Sequence, residues 1–125
     1  MYLSIVIPAF NEEKRIGQTL LKIHGYLQQK NIDYEVIMVD DGSTDSTATV
    51  AQRSDVAKTG KLKVIHNIAN RGKGYSVKTG ILNSKGEYVL FTDADLSCPI
   101  EELDKLIAIA NQNFSIVIGS RSVSD

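Results

Sequence analysis

Charge of one sign is missing from this sequence. Its 14 Lys and Arg face 15 Asp and Glu, a net charge of -1 over 125 residues, with a pI near 6.1. No basic field exists to draw in nucleic acid or an anionic lipid surface. Cysteine is nearly missing too. With Cys98 alone, an internal disulfide is excluded and a reducing, cytoplasmic compartment fits. No apolar run approaches the roughly 20 residues that span a bilayer, and no cationic leader precedes a cleavage site. The two histidines, His24 and His66, have neither a Cys nor a second His at ligand spacing, which argues against zinc. His24 reads as a helix-surface residue, His66 as the structural end of a strand and Cys98 as a packed thiol. There is no internal repeat, no low-complexity tract and no linker. Residues 1–125 therefore read as one domain, long enough to bury a core.

What is present is alternation. "YLSIVIP" (2–8), "YEVIMVD" (34–40), "LKVIH" (62–66), "EYVLFTD" (87–93) and "SIVIGS" (115–120) are rich in Val and Ile. Several are apolar at successive positions, as in a strand covered on both faces. Between them, Ile16, Leu20, Ile23 and Leu27 recur at helical spacing, as do Ile100, Leu103, Ile107 and Ala110 behind Pro99. Gly74, Val77 and Ile81 mark a weaker helix. "STDSTATVAQRS" (43–54) predicts another, capped by Ser43 or Thr44. Alternating β and α segments predict an α/β fold: an open, mostly parallel, Rossmann-like sheet flanked by helices.

Such sheets bind ligands beyond the carboxyl ends of their strands. Those ends are "PAFNEE", "VDDGSTD", "NRGKG", "TDADLS" and "GSR". Taken singly, each has an ordinary explanation. Asp-Gly-Ser is good turn chemistry, and acids after a strand are often solvated turn or cap residues. The functional alternative for Asp93 and Asp95 is a hard divalent cation held with phosphate oxygens. Arg71 and Lys73 in a glycine-rich helix entry suit an anion. Collection of these groups along one sheet edge favours nucleotide and metal. Two rivals with similar architecture fail. A phosphoacceptor receiver domain needs paired acids after strand one and a Lys after strand five, where this chain has "PAFNEE" and Arg121. A dinucleotide-binding oxidoreductase needs Gly-x-Gly-x-x-Gly in its first turn, and "PAFNEEKRIG" lacks it.

In order along the chain, "VIPAFNEEKRI", "EVIMVDDGSTDST", "NRGKGYSVKTGI", "GEYVLFTDADLSCPIEEL" and "IGSR" resemble the N-terminal half of a family 2 glycosyltransferase. The similarity is greatest to the polyprenyl- and dolichyl-phosphate glucose and mannose synthase group. The resemblance implies a GT-A fold, a nucleoside-diphosphate sugar donor carrying UDP or GDP, Mg²⁺ or Mn²⁺, and inverting transfer of a hexose. Carried over by position, Pro8, Ala9, Asn11 and Glu12 would line the nucleoside pocket. Asp40 and Asp41 would contact base or ribose without a division between them, and Gly42 and Ser43 would shape their turn. Gly72, Lys73 and Gly74 would close over the nucleotide. Asp93, Ala94 and Asp95 would form the D-x-D element at the nucleotide and metal, with Asp95 the more direct ligand and Asp93 nearer the ribose. Arg121 would face the diphosphate, sharing with Asp95 the catalytic role of stabilising the leaving group. One departure is Ser97, where some lipid-phosphate mannose synthases carry Gln.

The same resemblance implies a polyprenyl-phosphate acceptor, and work at the cytoplasmic face of a membrane. A lipid phosphate is already an anion and needs no general base, whereas a saccharide hydroxyl does. No convincing base stands out in the sequence. The family places an acceptor-binding segment after the part matched here, so the expectation is a donor-binding domain. A non-catalytic nucleotide-sugar-binding module remains the rival of a transferase.

Overall fold

A computed structural model describes residues 2–94 of the chain. The elements run β1 (Tyr2–Ala9), α1 (Ile16–Gln29), β2 (Asp33–Asp40), α2 (Thr47–Gln52), α3 (Asp55–Lys58), β3 (Leu62–His66), α4 (Lys73–Leu82) and β4 (Tyr88–Phe91). The four described strands form one sheet in the order β3-β2-β1-β4, every pair parallel. The helix expected over 100–110 and the strand over 115–120 lie outside the described residues. So do Asp95, Ser97, Cys98, Pro99 and Arg121.

The central strands explain why they read as apolar on both faces. Leu3, Ile5, Ile7 and Ala9 of β1 join Tyr34, Val36 and Met38 of β2 in the core beneath α1, α2 and α3. Val6 points the other way, with Val89 and Phe91 of β4, against Val77 and Ile81 of α4. The predicted stripe of α1 is fully realised. Ile16, Leu20, Ile23 and Leu27 are all at 0% exposure, and each contributes roughly 1.5–3 kcal/mol through burial. Asn31, at φ 58°, ends α1 in the left-handed conformation. On the opposite face, Gly80 of α4 lies so close to Val6 that a Cβ there would collide with its side chain. Among the described residues no helix is long and apolar enough to cross a membrane.

Two expectations are corrected. Residues 43–54 do not form one helix capped by Ser43 or Thr44. The backbone N–H groups of those two residues are taken by side chains outside the helix: Ser43 donates to Asp40 Oδ1, at the end of β2, at 3.0 Å and Thr44 to Asn11 Oδ1, in the β1 loop, at 2.9 Å. Helix α2 begins instead after Ser46. Ser54, at ψ 163°, then breaks the helical path and caps α3 by accepting from Ala57 N–H. His24 is not a helix-surface residue either. It is half-buried, with Nδ1 at 2.6 Å from Tyr34 Oη. Burial pushes the Tyr34 phenol up to about 12.

Candidate functional site

The carboxyl ends of the strands converge, and the order of strands says where. From β1 the chain winds outward through β2 to β3, then crosses back to place β4 on the other flank of β1. The winding reverses between β1 and β4, and a crevice opens at such a reversal. A cleft of about 380 Å³ lies there. Pro8, Ala9, Phe10 and Glu12 line it from the β1 loop, and Asp41 from the β2 loop. Asn70, Gly72 and Lys73 come from the entry to α4, and Asp93 and Ala94 from the end of β4. Eight of the sequence-predicted positions therefore share one cleft: Pro8, Ala9, Glu12, Asp41, Gly72, Lys73, Asp93 and Ala94.

The other predicted positions shape its walls. Asn11, at φ 53°, accepts from Thr44 N–H through Oδ1, while its own N–H donates to Ser43 Oγ at 2.9 Å. Glu12 N–H donates to Thr47 Oγ1 at 2.9 Å. Asp45 caps the start of α2 by accepting from Thr47 N–H at 3.0 Å and from its hydroxyl. Burial acts to raise the Asp45 carboxyl, but the Thr47 hydrogen bonds and one from Glu13 N–H outweigh it and hold it below the ordinary value. The β1 and β2 loops are thus laced together. Gly42 is needed where they meet the β3–α4 loop. Its φ is 77°, and a Cβ there would lie 2.8 Å from Asn70 N. Gly74, in the first turn of α4, has no atom within 4 Å of where its Cβ would stand.

The neighbouring acids Asp40 and Asp41 differ in their tasks. Asp40 is buried, accepts from Ser43 N–H, and has Oδ2 at 3.4 Å from Nδ1 of the exposed His66. This makes it a turn-forming group with a partner on β3. Asp41 is a hub. Its carboxylate accepts from Arg71 N–H at 2.7 Å, Gly72 N–H at 2.9 Å and Asn67 Nδ2 at 2.8 Å. Burial raises the Asp41 carboxyl, and the donors from Arg71, Asn67, Gly72 and Ser76 together pull it below the ordinary value. A carboxylate satisfied by several donors stays ionised.

Across the cleft, Asp93 meets the Lys73 ammonium, with Nζ 2.5 Å from Oδ1. The same Nζ stands 5.9 Å from the centre of the Phe91 ring. The backbone beside Asp93 is tied down, since the Thr19 hydroxyl of α1 donates to Ala94 C=O at 2.5 Å in a buried contact. Asp93 offers hard carboxylate oxygens to the cleft, and the ammonium marks a position where positive charge is stabilised, so the donor set fits a divalent cation. Among the described residues no three His, Cys, Asp or Glu side chains gather as a metal cluster. A cation here would need oxygens from a bound phosphate or from residues beyond Ala94.

Thr19, Asn67, Asn70, Thr47 and Phe10 escaped the sequence reading. Two of them had a signal. Asn67 directly follows β3, at a strand end like the others, and Thr19 interrupts the apolar stripe of α1 on its buried face.

Residues 4–125 match the family described as Glycosyl transferase family 2. The dolichyl-phosphate beta-glucosyltransferase of Drosophila melanogaster is 39% identical over 132 residues, covering 96% of this chain and 40% of that protein. An undecaprenyl-phosphate 4-deoxy-4-formamido-L-arabinose transferase of Pseudomonas savastanoi is 31% identical, covering 97% of this chain and 36% of its own length. Among solved structures, a mannosyltransferase of Pyrobaculum calidifontis in complex with GDP-Man and Mn²⁺ matches with a TM-score of 0.66 at 30% identity, over 80% of this chain and 29% of that one. S. aureus TarS in complex with UDP-GlcNAc matches with a TM-score of 0.70 at 29% identity, over 90% and 32%. The chain spans 40% or less of the length of each of these proteins. Its parallel sheet with flanking helices is the GT-A arrangement of those neighbours, and the chain belongs to glycosyl transferase family 2.

Proposed function

We propose that residues 1–125 form the donor-binding domain of an inverting glycosyltransferase that uses a UDP- or GDP-hexose, with a polyprenyl phosphate as acceptor. The observation that carries this reading is the cleft at the β1/β4 reversal, where Asp41, Lys73 and Asp93 come together from three loops. Relatives named for dolichyl- and undecaprenyl-phosphate transfer support the choice of acceptor.

Pro8, Ala9 and Phe10 would supply the apolar wall for the nucleoside, and Asp41 an ionised acceptor for a base or ribose donor. Glycines 72 and 74 leave the entry to α4 open, so its backbone N–H groups and Lys73 can approach the diphosphate. Asp93 and Asp95 would hold Mg²⁺ or Mn²⁺. That ion would offset the negative charge growing on the departing nucleoside diphosphate. Arg121 would act on the same charge. Because the departing group gains charge as the sugar–phosphate bond breaks, fixed positive groups there favour the transition state over the bound donor. A phosphate nucleophile would attack the far face of the sugar without losing a proton.

The test is thermal unfolding with UDP, GDP, TDP and NAD, each with Mn²⁺ and with EDTA. Ligand at about 100 times its dissociation constant stabilises the folded chain by roughly 2.7 kcal/mol. A shift with UDP or GDP that requires Mn²⁺ is expected. An equal shift in EDTA would remove the metal role, and a preference for NAD would remove the donor reading. Asp95→Asn keeps shape and loses charge, and should weaken Mn²⁺-dependent nucleotide binding about tenfold, or ~1.4 kcal/mol, by calorimetry.

A further inference from the structure

Lys73 stands where a helix alone would not place it. It opens α4, whose first turn carries no acid, although the partial positive charge at a helix N-terminus favours acids over cations. Its ammonium is held there by Asp93 at 2.5 Å and by the face of Phe91 at 5.9 Å. The Lys73 and Asp93 side chains keep 42% and 26% of their exposure, and both line the 380 Å³ cleft. An ion pair this accessible is worth only about 0–1 kcal/mol, so it can open without disturbing the core.

A carboxylate oxygen that binds an ammonium cannot also take a divalent cation on the same side, because the two positive charges would repel at close range. Resting on the donor-site reading above, we propose that Lys73 makes cation binding at Asp93 conditional on the diphosphate of the donor. Without nucleotide, the tethered ammonium occupies the cation position. An arriving diphosphate offers stronger oxygens beside the α4 N-terminus, draws Lys73 onto itself and leaves Asp93 to the divalent ion. Diphosphate and metal then load together, and the metal alone loads poorly. By linkage, whatever factor the nucleotide adds to metal affinity, the metal adds to nucleotide affinity.

The experiment titrates Mn²⁺ by electron paramagnetic resonance, with and without UDP, in the wild-type chain, Lys73→Met and Lys73→Arg. Circular dichroism checks that each is folded. Lys73→Met should bind Mn²⁺ without nucleotide at least about fivefold more tightly than wild type, at the low end of ordinary coupling. Its ratio of Mn²⁺ affinities with and without UDP should fall, while Lys73→Arg keeps the wild-type ratio. If the wild-type chain binds UDP but Lys73→Met takes up nucleotide-free Mn²⁺ no better, this inference alone is overturned. An unchanged ratio overturns it as well. Failure of the wild-type chain to bind UDP would overturn the donor-site reading, and this inference with it.

Discussion

The two walls of the cleft are built on opposite plans. On the β1/β2 side polar groups are engaged across neighbouring loops: Asn11 with Ser43 and Thr44, Glu12 N–H with Thr47, and Asp41 with three donors from the β3–α4 connection. On the β4 side the backbone is anchored through Thr19 and Ala94, while the Asp93 carboxylate meets a long, half-exposed lysine. One wall is fixed by short side chains that accept from or donate to backbone. The other is set by a flexible stem that can swing. On the donor-site reading proposed above, a pocket for a rigid nucleoside can be preformed, whereas a place for a diphosphate and its ion must tolerate a change of charge.

The sharpest way to break this contrast is Asp41→Ala. Three donors lose an ionised, buried acceptor, and unfolding in urea should show a loss of about 3 kcal/mol, the range of charged hydrogen bonds left unmade. A loss under 1 kcal/mol would mean that this wall is no more fixed than the other. Gly42→Ala comes next, at about 2 kcal/mol. Positive φ and the close approach of Asn70 N both oppose a side chain. Gly74→Ala, in open space on the swinging wall, should be neutral or slightly stabilising by the same measurement.

Acid sharpens the comparison further. Asp41 and Asp45 are both held below the ordinary carboxylate value. The stability they add is complete above the unfolded value of about 3.9. It is lost as pH falls through their folded values. Thermal midpoints should therefore drop on acidification below about pH 4, and less steeply in Asp41→Ala. Asp93→Asn should change stability by no more than about 1 kcal/mol. A larger loss would place Asp93 among the fixed groups and contradict the division of the two walls.

How much of this was legible depends on how far each interaction reaches along the chain. The central strands, the α1 stripe and the βα alternation were readable because apolar periodicity is local and the core enforces it. The gathering of "PAFNEE", "VDDGSTD", "NRGKG" and the "TDA" that ends β4 at one edge followed from topology alone. Polar pairings between loops were not readable. Nothing near Thr44 says that its N–H belongs to Asn11, 33 positions away, so a residue with good capping chemistry stands where the chain makes a turn. Nor does "VDD" say which acid faces the cleft. That depends on the β3–α4 loop folding back to present Arg71 and Gly72 to Asp41 and not to Asp40. His24 misled for a similar reason, since its partner Tyr34 comes from the next strand.

Gly80 gives the swinging wall a remote handle. Helix α4 is 10 residues long, about 15 Å of stiff rod, and Gly80 near its far end lets it rest directly on Val6 of the sheet. Any side chain added at Gly80 acts as a shim under one end of a lever whose other end carries Lys73. Raising that end tilts the helix and resets how far the ammonium reaches across the cleft. The mouth of the cleft is therefore adjustable from a buried seam outside its lining, where a single methyl group would serve as the gauge.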